Sequence, residues 1–222
     1  MRIPDLTITL TTLLLLAAPA YAASTGLSSY DSQTPLQGVT FDFGPDIRLD
    51  RPFRQEEQPT EGCIDKPSRS AHFCLETVNW PENLHTSLTG SDVVYNGTRA
   101  ILYYHQGTSV QVYILFPTDQ SEAIVAYLQS RYGPPTGEQT IQIPMPGSPA
   151  VTNRLTRWRS TVAGQDTDMI LEVRRLDDIR RPFPDNTHGV VRLYRQGDDS
   201  MFRYLSVIDL MVLRQRRIGR SQ

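Results

Sequence analysis

The sequence predicts an α+β fold, a largely antiparallel β-sheet with one main helix at about 119–132 and one short helix at about 80–88. Three observations carry that expectation. Apolar and polar residues alternate with period two in short runs divided by Gly, Pro, Asn and Asp, as half-buried strands require. The dipeptides Asn96-Gly97 and Gln106-Gly107 lie between such runs and mark reversals. Around 119–132 the spacing turns helical: Ile124, Val125, Leu128 and Tyr132 follow Thr118 and Asp119, and Gly133-Pro134-Pro135 ends the pattern.

Residues 1–22 read as a secretory leader. Arg2, a mostly apolar run over 8–18 and the step Ala20-Tyr21-Ala22 supply the charge, core and small-residue spacing that a signal peptidase cuts. The mature chain is expected to begin near Ala23 and to work in the periplasm or outside the cell. Asp5 is an acid in a region that is usually basic. The run over 8–18 falls short of the roughly 20 apolar residues that cross a bilayer, so no membrane span is expected. Residues 23–62 form a polar lead-in with one strand at 39–43, where Val39, Phe41 and Phe43 alternate with Thr40 and Asp42. A single α+β domain is expected over 63–213, and a basic, frayed tail over 214–222.

Cys63 and Cys74 are the two cysteines, eleven positions apart. In an oxidising compartment a lone pair is most simply one disulfide, worth roughly 2 to 3 kcal/mol in the chain-entropy model, around a polar loop. A strand over 73–78 follows, then Asn79 as a helix cap, Pro81 in the first turn and Glu82 at the capping-box position, with Leu84 and Leu88 facing the core. Val93 to Tyr95 and Arg99 to Tyr104 read as a hairpin about Asn96-Gly97. A second turn at Gln106-Gly107 leads into a strand whose Val110, Val112, Ile114 and Phe116 face inward. Beyond the main helix, strands are expected at 139–143, 154–160, 169–174, 190–194 and 201–213. In the second of these, Thr156 and Trp158 share one face, and Arg157 and Arg159 the other, which should be wet.

Charge is nearly balanced overall but not along the chain. Residues 23–150 hold seven Lys and Arg against fourteen Asp and Glu, while 151–222 hold fourteen against nine. All the basic residues but Lys66 are arginine. This leaves recognition of carboxylate or phosphate by guanidinium forks open beside a plain coding bias. A single lysine excludes a Gly-Lys-Ser/Thr phosphate loop and a Ser-x-x-Lys centre, and neither G-x-S-x-G nor H-E-x-x-H occurs. No catalytic residue, metal ligand or cofactor is assigned, and nucleic acid is not expected as a partner.

Three groupings remain. Arg174, Arg175, Asp177, Asp178, Arg180 and Arg181 form a mixed-charge segment that reads most simply as a solvated, self-paired loop. Arg157, Trp158 and Arg159 offer a cationic-aromatic surface, although alternation points Trp158 inward. His72, His85, His105 and His188 are scattered. The candidate binding set is Arg157, Trp158, Arg159, Arg174 and Arg175.

Phe73-Cys74, Trp80-Pro81, Tyr95-Asn96-Gly97, Ala100-Ile101, Leu115-Phe116-Pro117 and Tyr132-Gly133-Pro134-Pro135, continued by Leu171-Glu172-Val173-Arg174 and Phe183-Pro184-Asp185, resemble an uncharacterised family of secreted bacterial proteins. The resemblance implies a periplasmic location and carries no activity or site residues. The functional expectation is a non-catalytic periplasmic binding or accessory module whose partner is an acidic protein or an envelope component. The rivals are a hydrolase or transferase using His188 with Asp185 or Glu172, and an assembly protein pairing through a sheet edge.

Overall fold

A computed structural model describes residues 33–53, 62–88, 90, 92–145, 147–180 and 185–218. The leader and its cleavage point, the start of the lead-in, Arg181 and residues 219–222 lie outside the described residues. The fold is α+β, as the sequence predicts: a mostly antiparallel sheet with three helices.

The strands are β1 (Leu36–Gln37), β2 (Cys63–Lys66), β3 (Ala71–Thr77), β4 (Arg99–His105), β5 (Thr108–Pro117), β6 (Gly137–Met145), β7 (Ser148–Thr161), β8 (Met169–Arg174) and β9 (His188–Arg195). The helices are α1 (Glu82–Ser87), α2 (Ser121–Tyr132) and α3 (Val207–Ile218). The sheet order is β1-β7-β8-β9-β5-β4-β3-β2, with β6 also on β7, and every pair is antiparallel except β1 with β7. The last strand along the chain, β9, thus lies in the middle. It joins the N-terminal group β2 to β5 to the hairpins β6 to β8.

Central strands are buried on both faces, which is why β5 and β9 read as almost continuous apolar runs. One face packs Val112, Ile114, Phe116, Leu171, Val173, Val191 and Leu193 against Leu84, Leu88, Ile124 and Leu128 of the α1 and α2 side. Phe41, Phe43, Ile47 and Leu49 complete this core, so the lead-in contributes apolar weight that its polar composition hides. The other face packs Phe73, Ile101, Tyr113, Leu115 and Val190 beneath Met201, Leu205, Leu210 and Leu213. At the β5–β9 seam Phe116 stands opposite Gly189. A Cβ there would meet the Phe116 ring at 2.5 Å and the Arg174 carbonyl at 2.7 Å, so only glycine lets the strands close.

The disulfide joins Cys63 and Cys74, which face each other across β2 and β3 with Cα atoms 4.1 Å apart. Its ring is therefore a closed β-hairpin rather than a loop. The turn Gln106-Gly107 joins β4 to β5 with φ of 49° and 81°, the positive pair that a tight two-residue reversal takes.

Several expectations are corrected. Residues 39–43 form no strand; they hold a single bridge, Asp42 to Arg48, and β1 lies just before them. Residues 93–95 are a turn, and Asn96 holds a local loop by accepting from Thr98 N at 3.0 Å, so the first hairpin is absent. Asn79 makes no cap to α1, whose flanking residue is Pro81. Val110 leaves the inward face of β5 because the β4–β5 register shifts between Tyr103 and Tyr104. The arginine face of β7 is not wet, since the Arg157 side chain is only 16% exposed.

The largest correction is at 201–213, where α3 replaces the expected strand. Ser206 and Asp209 cap it reciprocally: Ser206 Oγ accepts from Asp209 N at 3.2 Å and Asp209 Oδ2 accepts from Ser206 N at 2.8 Å. Leu210 and Leu213, three apart, then join Leu205 in the core cluster against the sheet. Arg214 to Ile218 belong to this helix rather than to a frayed tail.

Candidate functional site

The second sheet face changes character at β9. On the β2 to β5 side it is apolar and covered by α3; on the β7 to β9 side it carries charge. The ladder sets one row across four strands: Arg157 opposite Glu172, Glu172 opposite Arg192, and Arg192 opposite Tyr113. Alternation places Arg174 and Tyr194 on the same face, one row to either side.

Glu172 is fully buried at the centre of this row. Its Oε1 accepts from Arg174 Nε at 2.7 Å and Arg192 Nη1 at 3.3 Å, and its Oε2 accepts from Arg157 Nη2 at 2.8 Å and Tyr194 OH at 3.4 Å. Burial pushes its acidity toward the neutral form, but the Arg174, Arg192 and Arg157 charges more than reverse that and hold the carboxyl at about 2. The same burial, with the Glu172 charge beside it, pushes the Tyr194 phenol up to about 12. Both groups keep one protonation state throughout the neutral range.

Beside this cluster lies a cavity of about 420 Å³ lined by Arg174, Asp178, Ile179, Arg192, Ser200, Phe202 and Arg203. Its walls come from two loops pinned to the sheet. Asn153 on β7 makes two 2.9 Å bonds to the Leu176 backbone, which fixes the segment carrying Asp178 and Ile179. Gln111 on β5 bonds Asp199 O and accepts from Met201 N at 3.0 Å, which sets the turn carrying Phe202 and Arg203.

Arg192 is the informative wall residue. Its side chain is 9% exposed, and its guanidinium lies 4.1 Å from the Tyr194 ring centroid and 5.3 Å from that of Tyr113. Its Nη1 donates to Glu172 Oε1, and its Nε is buried without a partner. A buried donor left unpaired costs about 1–3 kcal/mol, so this N–H stands ready to donate to an anionic oxygen. Arg174, by contrast, is held by Glu172 and by both Asp178 oxygens at 2.8 and 3.0 Å.

The structure sorts the candidate set predicted from sequence. Arg157 and Arg174 come together on Glu172, and Arg174 reaches the cavity. Trp158 is fully buried on the opposite face, donating to Gly133 O at 2.9 Å, so it forms no surface with its neighbours. Arg159 pairs with Asp168 at 3.4 Å, and Arg175, just beyond the end of β8, is exposed and does not line the cavity. Within the mixed-charge segment Asp177, Asp178, Arg174 and Arg180 are paired as expected, but the pairing is partly buried rather than wholly solvated: Asp177, fully buried, pairs with Arg180, which also holds Asp185 at 2.9 Å. Sequence reasoning missed Arg192, Arg203 and Tyr194. The available signal was one charge inside each of two apolar runs, Glu172 in β8 and Arg192 in β9, of opposite sign.

A second grouping lies at the start of β9. Asp185 Oδ2 is 2.8 Å from His188 Nδ1, and Asp185 Oδ1 accepts from Thr187 N at 2.8 Å and Thr187 Oγ1 at 2.7 Å. Despite partial burial, these bonds and the His188 contact hold the Asp185 carboxyl at about 2. Among the described residues no three of His, Cys, Asp and Glu gather where they could hold a metal ion, and no helix is long and apolar enough to cross a membrane. Comparison with protein-family models, curated proteins and solved structures returns no match for this chain.

Proposed function

We propose that this chain is an exported, non-catalytic binding module that holds an anionic group in the cavity walled by Arg174, Arg192 and Arg203. The observation that carries the reading is that Arg192, a residue of the cavity wall, has a buried Nε without a partner. Glu172 supports it, since a carboxylate tied to three guanidiniums fixes them on the sheet before any ligand arrives. Such an arrangement reduces the ordering entropy that Arg174 and Arg192 spend at the moment of binding.

The test is thermal unfolding against a panel of carboxylates, inorganic phosphate and sulfate at fixed ionic strength. A ligand present at a hundred times its Kd adds about 2.7 kcal/mol and raises the midpoint saturably. Loss of that increment as neutral salt rises is expected of an arginine-walled site. A panel in which no anion moves the midpoint removes the reading.

A second reading, acid–base catalysis, draws on the 2.8 Å contact between Asp185 and His188, which leaves the far imidazole nitrogen for proton transfer. Hydrolysis of chromogenic ester or phosphoester probes that disappears in His188→Gln would favour it; unchanged traces would dismiss it.

A further inference from the structure

We infer that the ligand taken by the Arg192 cavity is a monocarboxylate bearing an apolar or aromatic arm, an inference that rests on the anion-binding reading above. Charge decides the first half. The ion-paired network at the cavity comprises Arg157, Arg174 and Arg192 against Glu172 and Asp178, which leaves a single positive charge. One carboxylate balances it. A phosphate dianion would leave an uncompensated negative charge beside a buried glutamate, where unpaired charge is costly.

Geometry agrees with that choice. Arg174 is committed to two carboxylates already, while Arg192 keeps its Nε unpaired on a planar guanidinium of the kind that matches a carboxylate. Arg203, 61% exposed in its side chain, stands where it can meet the same group from the solvent side. The remaining walls are mixed: Phe202, which packs edge-on against Tyr113 at 5.0 Å, and Ile179 give an apolar side, while Ser200 and the Arg174-paired Asp178 give a polar one. A cavity of about 420 Å³ admits a small aromatic or branched acid, not a polymer segment.

Calorimetric titration of the full chain with phenylacetate, acetate and inorganic phosphate at neutral pH tests this. Phenylacetate should bind at least about tenfold more tightly than either of the others, because only it fills both the fork and the Phe202 wall. Arg192→Gln should abolish the heat, and Arg203→Gln, a change at an exposed position that leaves the buried network intact, should weaken binding about tenfold. Should Arg192→Gln not fold, Arg203→Gln and Phe202→Ala still decide the matter. Phosphate binding as tightly as phenylacetate would overturn the ligand class and leave the anion site standing. No heat from any of the three, or phenylacetate binding indifferent to Arg203→Gln and Phe202→Ala, would overturn both.

Discussion

Glu172→Gln removes one charge and almost no volume from the centre of the arginine cluster, which makes it the sharpest probe of how this half of the molecule is held. Three guanidiniums now converge on a neutral amide, each within 3.3 Å of an oxygen that used to be anionic. Removing one partner of a buried charge network costs about 3–5 kcal/mol. The carboxyl itself gives an independent figure. Its fall from an ordinary 4.5 to about 2 corresponds to about 3 kcal/mol favouring the folded state at neutral pH. Because the folded value is the depressed one, this contribution is complete above 4.5 and fades as pH falls toward 2. The gap between wild type and Glu172→Gln should therefore narrow by about 2 kcal/mol between pH 7 and pH 3. Urea denaturation, which leaves ionic strength unchanged, measures both quantities. A gap below about 1 kcal/mol at pH 7, or one that stays constant on acidification, refutes the claim that this carboxylate anchors the cluster.

Three further outcomes are expected. Reduction of the Cys63–Cys74 bond, or the double change to serine, should lower stability by about 2–3 kcal/mol, read as a shift in urea midpoint with and without reductant. Gly189→Ala places a methyl against the Phe116 ring and the Arg174 carbonyl and should cost about 3 kcal/mol, with a lower melting temperature and no change in cysteine oxidation. Leu213→Ala should cost about 2–5 kcal/mol, since that side chain docks α3 on the sheet; a negligible loss in chemical denaturation would argue that the helix does not pack there.

Much of the fold was legible because its signals are local. Gly133-Pro134-Pro135 stops α2 where the backbone amide of Gly133 closes on Gln129 O at 2.9 Å, and Gln106-Gly107 turns β4 into β5. Alternation placed Trp158 inward, and the pairing of the cysteines needed only their number. Where two periods fit one apolar run, the reading failed. Residues 201–213 satisfy both strand and helix spacing, and the Ser206–Asp209 cap, which decides between them, is a short motif easily passed over. Asn96-Gly97 has the composition of a hairpin turn, yet Asn96 spends its side chain on Thr98 and on Gly90 O at 3.1 Å.

The sequence alone determined the class of the fold, its main helix, most of its strands and the one disulfide, because each follows from propensity, spacing or counting within a short window. It also concentrated arginine in the last third of the chain. Which arginines matter was decided only by tertiary structure. Strand order sets β9 between β8 and β5, and only that order brings Glu172 level with Arg192 and Arg157 while sending Trp158 to the opposite face. The physical reason is that a charge is committed or available according to its neighbours across the sheet: Arg174 is saturated by two acids, whereas Arg192 keeps a buried Nε unpaired.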